Sequence, residues 1–329
     1  MNPSKAATSG PSPRNGLDAV DHSLIDRLRI DGRASNRSLA EAIGVNEATV
    51  SSRLRKLEDD QVVRVVAVTD MEALGHEFLA FAMVRVASRP VREVGAELAQ
   101  LPECIGVVLT TGRYDLVLSV LARDRAHLAS LVGSLIPKVR GVDDVRWELA
   151  LEVLRFRSEW AVLGTEDQPV EPWAQTDAID DLDLRIVRLL QLDARASNRS
   201  IASELGVSEG TIRARIRRME DERIIHIQAI SDVRAIGLGA SAYVGITVEG
   251  GKVDKVAKAV LGLAEPAAVI RSIGDFDLLL VLPAESRERL VQIVLDTIGT
   301  IPGVRRTETI EQVGVIKHSY TWARLMRTE

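Results

Sequence analysis

Two stretches of the chain place polar and basic side chains between apolar residues at helical spacing. Over 47–56 the outward residues are Glu47, Ser51, Ser52, Arg55 and Lys56, set around Val50 and Leu54. Over 209–218 they are Glu209, Arg213, Arg217 and Arg218, set around Ile212 and Ile216. Such a helix can lie in the major groove of DNA and donate hydrogen bonds to base edges and phosphates. Arg37 and Arg199 are further candidates for phosphate contact. Arg53 and Arg215 carry two readings: phosphate contacts, or ion pairs with acids of their own domain such as Glu58 and Glu220.

A second pair of stretches offers different chemistry. "TGRYDL" contains Gly112, Arg113, Tyr114 and Asp115, and "IGDFDL" contains Gly274, Asp275, Phe276 and Asp277. A glycine turn exposes backbone N–H groups that can meet a carboxylate, and an aspartate can meet an ammonium group. The alternative is a plain hairpin turn whose aspartate caps backbone amides.

The two members of each pair lie 162 positions apart. "DGRASNRSLAEAIGV" (Asp31–Val45) returns as "DARASNRSIASELGV" (Asp193–Val207), and 16 of the 29 positions from Asp31 to Asp59 are identical in the second copy. The offset holds without a gap from about 17 to about 313. Gly75 matches Gly237, and Gly141-Val142 matches Gly303-Val304. Each unit is domain-sized, unlike a solenoid repeat. The chain therefore reads as a dimer written in one polypeptide.

The elements that must position these residues follow from periodicity. A helix starts at Leu17 with Asp18 as N-cap and buries Leu24, Ile25 and Leu28. A short second helix is capped by Ser35 and stops at Gly44. A third is capped by Asn46 and buries Val50, Leu54 and Leu57. Val62–Asp70 is extended, a wing or a tether. Strands over Leu79–Val86, Ile105–Thr110, Tyr114–Leu121 and Val145–Phe156 alternate with helices over Val91–Leu101 and Asp124–Val139. Helix, helix, tight turn and helix make a helix-turn-helix pattern, and the order βαββαβ makes a ferredoxin-like sandwich. Such a sheet has a second face to bury, and pairing two of them face to face would bury it.

The fold class is thus α+β: two copies of a helix-turn-helix domain followed by a ferredoxin-like βαββαβ domain. The expected boundaries are a disordered tail over 1–16, helix-turn-helix domains over 17–70 and 179–232, and α/β sandwich domains over 78–156 and 240–316. A linker over 157–178 and a C-terminal tail over 317–329 complete the chain.

Composition narrows the functional class. The 329 residues carry a net charge of −5, with 27% charged and 3% aromatic residues. Any DNA-binding charge must be local, and aromatic stacking on single strands is disfavoured. The one cysteine, Cys104, permits no intrachain disulfide and reads as a small buried residue. The five histidines (His22, His76, His127, His226 and His318) lack metal-ligand spacing. No cofactor or metal is expected. No apolar run reaches the roughly 20 residues of a membrane span, so a cytoplasmic protein is expected.

Each copy resembles a full-length member of the leucine-responsive regulatory protein/AsnC family of prokaryotic transcription regulators. The resemblance covers nearly all of 17–156 and 179–316. It rests on "LDAVDHSLIDRLRIDGRASNRSLAEAIGVNEATVSSRLRKLE", its twin starting "IDDLDLRIVRLLQLDARASNRSIASELGV", and the Gly-x-aromatic-Asp loops. It implies double-stranded DNA and a small effector, usually an amino acid, as partners. It also implies that each copy is a winged helix-turn-helix domain followed by a ferredoxin-like βαββαβ sensing domain, that the effector binds between sensing domains near those loops, with Gly112, Arg113, Tyr114, Asp115, Gly274, Asp275, Phe276 and Asp277 as the candidate binding set, and that the protein self-associates. Two departures stand out. Gln61 and Arg223 occupy the place after the third helix where the family usually has glycine, and the two copies are fused. The same architecture occurs in siroheme decarboxylases, but their histidine-rich substrate loop has no counterpart here. A non-specific architectural DNA-binding protein is a further alternative.

Overall fold

The computed structural model describes residues 16–163, 176 and 178–325. Most of the 1–16 tail, most of the linker and the last four residues lie outside the described residues.

Helices α1 (Ala19–Ile30), α2 (Asn36–Ile43) and α3 (Glu47–Asp59) form the first helical domain. Their ends are set by side chains. Asp18 and Asp21 make a reciprocal capping box at α1, and Ser35 and Asn46 cap α2 and α3. Gly44 ends α2 in the left-handed conformation, with φ 80°. Leu24, Leu28, Leu39, Val50, Leu54 and Leu57 meet in one core. Where glycine was expected, Gln61 adopts φ 54° and Arg223 φ 58°, the left-handed region that glycine favours.

Strand β1 (Val63–Asp70) follows, then β2 (Phe78–Val86), α4 (Val91–Leu98), β3 (Cys104–Thr111), β4 (Leu116–Ala122), α5 (Arg125–Ser130) and β5 (Val142–Phe156). The second sequence helix of this domain was expected to run unbroken to Val139. It instead passes from α5 into a wider π-type coil over Leu131–Leu135, and the other copy does the same over Ile293–Ile298. The first helix stops at Leu98, short of Leu101. β5 starts at Val142, before the expected Val145, and β4 starts at Leu116, after the expected Tyr114.

A short β6 (Trp160–Ala161) leads to the second copy: α6 (Asp181–Leu192), α7 (Asn198–Leu205), α8 (Glu209–Asp221), β7 (Ile225–Asp232), β8 (Ala240–Val248), α9 (Val253–Leu261), β9 (Ala268–Ile273), β10 (Leu278–Ala284), α10 (Arg287–Gln292), β11 (Val304–His318) and β12 (Trp322–Ala323).

The copies interlock through these strands. β1 pairs antiparallel with β7, and Val66 stands opposite Gln228, its own counterpart. A pseudo-twofold axis therefore passes through that pair. Val62 and Val63 enter the core of the first helical domain together with Ala229 from the other copy, and Ala67 enters the second. The extended segment is neither wing nor free tether; it is the seam between the copies.

Two expectations are corrected at the edges of this seam. β12 pairs with β1 and β6 with β7, both parallel, giving the order β12-β1-β7-β6. Part of the expected linker and part of the expected tail are therefore structural, with Ala161, Tyr320, Trp322 and Ala323 buried. The physical reason is that an open β1–β7 pair would expose two edges of unpaired N–H and C=O groups. The segments leaving β5 and β11 cover them.

Each sensing sheet has the strand order expected of βαββαβ, β3-β4-β2-β5 in the first copy. β5 also pairs with β9, and β11 with β3. The two sheets thus close into one eight-stranded barrel, β10-β8-β11-β3-β4-β2-β5-β9. Between them lies a core that includes Phe81, Met83, Val117, Tyr243, Phe276 and Leu279. Outside, Val94 and Leu98 of α4 and Val256 and Val260 of α9 cover the other faces. Strands covered on both faces have no polar side, which is why Leu116–Ala122 shows only weak alternation.

Candidate nucleic-acid interface and effector loops

Helices α3 and α8 present the expected residues unequally. Glu47, Ser51, Ser52, Arg55 and Lys56 are exposed on α3, and Glu209, Arg213 and Arg217 on α8. Arg213 pairs with Glu209 at 2.7 Å and Arg217 with Asp221 at 3.9 Å, each one turn away and well exposed. Arg37 pairs likewise with Glu41 at 3.0 Å, and Arg199 is exposed on α7. Such exposed pairs are weak and exchange readily for a phosphate. Arg218 is different. Its guanidinium reaches Asp183 at 2.7 Å, Glu222 at 3.0 Å and the Ala178 carbonyl at 3.0 Å. It is turned back onto its own domain rather than outward.

Arg53 and Arg215 are also directed inward, but not to Glu58 and Glu220. Arg53 donates to Asp18 and to Asp21, the latter at 3.1 Å; Arg215 donates to Asp180 and to Asp183, the latter at 3.0 Å. These are the capping-box carboxylates of α1 and α6, so each arginine ties its recognition helix to the start of its domain. The Arg215 guanidinium and the Asp183 N–H hold the Asp180 carboxyl at about 2.

The near-identity of the two fifteen-residue stretches has a structural reason that residue spacing could not show. Arg33 donates across the seam to the Ala196 carbonyl at 2.6 Å and Asn198 Oδ1 at 3.0 Å. Arg195 returns the contact to the Ala34 carbonyl at 3.1 Å and Asn36 Oδ1 at 3.3 Å. In "RASN" each copy carries both the arginine and the socket for the other arginine. The signal was present as identity between loops, but a helix-turn-helix reading assigns those loops no partner.

The two effector loops are brought together at the pseudo-twofold axis. Arg113 pairs with Asp275, its own counterpart, at 3.2 Å, and with Glu308 at 3.5 Å. It also lies over the Tyr114 ring at 5.2 Å. The Tyr114 hydroxyl reaches Asp275 at 3.4 Å, and burial pushes that hydroxyl up to about 12. Both aromatic residues belong to the inter-sheet core, Tyr114 at 1% exposure and Phe276 at 6%. The two aspartates follow the hairpin alternative. Asp115 accepts from Val86 N at 2.9 Å and Asp277 from Val248 N at 2.7 Å. Their carboxylates hold the loop to the neighbouring strand, as the hairpin alternative expects.

The glycines differ as well. Gly112 has φ 115°, the open turn that was expected. Gly274 is needed for space: a Cβ there would stand 2.4 Å from the Trp147 carbonyl and 2.6 Å from the Glu148 carboxylate. Glu148, unmarked in the sequence, is fully buried and accepts from Asp275 N at 2.5 Å and Phe276 N at 3.4 Å. Burial pushes its carboxyl up, against the opposing pull of those amides and of Ser272.

A mostly apolar cavity of about 190 Å³ opens between the sheets near β6 and β12, lined by Phe81, Tyr243, Ile270, Trp160, His318 and Trp322 among others. Cys104 is buried, its thiol pushed up to about 12, in line with a packing role. Among the described residues no group of three or more His, Cys, Asp or Glu side chains is placed to hold a metal ion, and no helix is long and apolar enough to cross a membrane.

Comparison with known proteins follows the same division. The AsnC-type helix-turn-helix domain matches residues 17–58 and 179–220, and the Lrp/AsnC ligand binding domain matches 79–159 and 241–322. The HTH-type transcriptional regulator FL11 of Pyrococcus horikoshii is 33% identical over 144 residues, 44% of this chain and 95% of the relative. FL11 of Pyrococcus abyssi is 34% identical over 147 residues, 44% of this chain and 97% of the relative. Each relative thus corresponds to one of the two copies. Over both copies together, the siroheme decarboxylase NirDL superposes with a TM-score of 0.65, covering 91% of this chain and 92% of that one. At 16% identity that likeness shows a shared fold alone. This chain belongs to the Lrp/AsnC family of DNA-binding transcription regulators, as a tandem-duplicated member with two helix-turn-helix and two ligand-binding domains.

Proposed function

We propose that the chain reads an asymmetric DNA site with two unlike half-sites, and that an amino acid bound at the sensing loops alters this reading. The observation that carries the first part is the divergence of the recognition helices. Ser51 and Ser52 are exposed on α3 where α8 presents Arg213 and Ala214. An arginine can fork onto guanine O6 and N7 and discriminate by about 1–3 kcal/mol, whereas serine is permissive. In-vitro selection of binding sites should return a non-palindromic site, and Arg213→Ser should relax one guanine in one half. A perfect palindrome, unchanged by that substitution, overturns the reading. A salt series on the selected site should show affinity falling steeply with ionic strength.

Arg113 and the open turn at Gly112 support the effector reading, because together they offer a guanidinium and free backbone donors to a carboxylate. Calorimetry with an equimolar mixture of amino acids checks it; the absence of binding sets it aside. The regulators that are 33–34% identical to one copy support a regulatory role over an enzymatic one, and unchanged absorbance of added siroheme is the corresponding check. Leu151 and Ile273, 58% and 59% exposed at the β5–β9 seam, support self-association of whole chains. Sedimentation showing a single chain at tens of micromolar would remove that element.

A further inference from the structure

The two effector loops are equivalent by sequence, yet their surroundings are opposite. At the second loop, the N–H groups of Asp275 and Phe276 converge on Glu148. One contact is shared: the Ser272 hydroxyl donates to the Phe276 carbonyl at 3.0 Å, as the Thr110 hydroxyl does to the Tyr114 carbonyl at 2.9 Å. The position matching Glu148 in the other copy is Ile310, fully buried beside Tyr114 in the inter-sheet core. Among the described residues, the matching N–H groups of Arg113 and Tyr114 meet no acceptor. The charge carried by the loops differs too: Arg113 belongs to the first and Asp275 to the second, the two pairing with each other at 3.2 Å, with Glu308 beside Arg113 at 3.5 Å and Glu148 on the second loop's amides.

We propose that Glu148 is a built-in carboxylate ligand. It occupies the 274–277 loop in place of an external carboxylate and leaves the 112–115 loop, backed by Ile310, as the one effector site of the chain. This inference rests on the reading of the loops as carboxylate receptors. Its physical basis is that two convergent backbone N–H groups form a small anion-binding concavity. A side chain tethered inside the fold fills such a concavity at high effective concentration. The steric fit agrees: only glycine at 274 leaves room for the Glu148 carboxylate against the loop.

Formate is the probe that isolates the vacated concavity. In Glu148→Ala at constant ionic strength, about 0.2 M formate should raise the thermal midpoint by several degrees, and chloride should not. The wild type should show no such difference between the two salts. Amide resonances of Asp275 and Phe276 should move on formate addition in the variant alone. No formate effect in the variant, or equal effects in both proteins, overturns the proposal. If the alanine variant does not fold, Glu148→Gln keeps the shape and removes the charge. Hydrogen exchange at Asp275 and Phe276 should then quicken about tenfold or more, and unchanged exchange overturns the proposal. Calorimetry with the amino-acid mixture separates the two readings. One site per wild-type chain fits both, and two equal sites sink the built-in ligand. No binding in a chain whose Glu148→Ala form is rescued by formate sinks the effector reading and leaves Glu148 in its role.

Discussion

At the scale of single residues, the structure turns Arg53, Arg215 and Arg218 from surface candidates into internal ties. Arg33 and Arg195, which residue spacing did not single out, hold the helical domains to each other, so their loss acts on geometry rather than on groove contacts. Arg33→Ala should cost about 1–3 kcal/mol of stability. It should also weaken binding to a two-half-site fragment more than to a single half-site. Equal loss on both fragments would mean that the arginine contacts DNA itself. Gln61 and Arg223 make an opposite case. Both sit at positive φ, where a side chain costs about 1–2 kcal/mol, partly offset by the greater freedom glycine has when unfolded. Gln61→Gly and Arg223→Gly should each stabilise the fold by about 0.5 kcal/mol, read as a higher urea midpoint; a fall would show that these side chains repay their strain. The outward positions of α3 and α8 were legible in the sequence because apolar spacing leaves only a few of them; that Arg218 turns back onto Asp183 was not. Glu148 was not, because a buried carboxylate in a strand has no spacing signature, and its partners come from the other copy.

At the scale of elements, the helical domains were legible nearly to the residue, since Asp18, Ser35, Asn46 and Gly44 mark their ends by local chemistry. The strands of the sensing sheets were legible as a set, with ends displaced by a few residues. Two-residue strands were not. β6 and β12 have too little length for any periodicity, and only the exposed edges of β1 and β7 call for them. Trp322 is the anchor of β12, 3% exposed and edge-on to His76 at 5.0 Å. Trp322→Ala should therefore cost about 3–5 kcal/mol, as for a core tryptophan. Unfolding by urea measures this, and a loss below about 1 kcal/mol would return the segment to the status of a tail.

At the scale of the whole molecule, barrel and helical domains meet around a buried histidine. Burial holds His76 neutral down to about 4, aided by the nearby charges of His127 and Arg123. In the unfolded chain it would take up its proton near the ordinary value of 6.5. Stability from this group is therefore complete above about pH 6.5 and declines as pH falls towards 4. The decline is at most about 1.4 kcal/mol per pH unit. Urea midpoints between pH 7.5 and pH 5 should fall, and His76→Gln should reduce that fall without abolishing it, because burial holds His318 down to about 4 as well. An unchanged slope would place the titration elsewhere. Closure of the barrel was foreseen only as two sheets face to face. Its seams depend on β5 and β11 running long, with bulges that no residue pattern announces. The fusion itself has one more consequence. When a twofold protein is assembled from separate identical chains, every mutation is made twice, once on each side of the axis. In this chain a mutation is made once, so one half can be altered and tested by selection while the other keeps working. The pairs Arg113 and Asp275, and Glu148 and Ile310, are changes that a protein bound to symmetry would have had to accept on both sides or not at all.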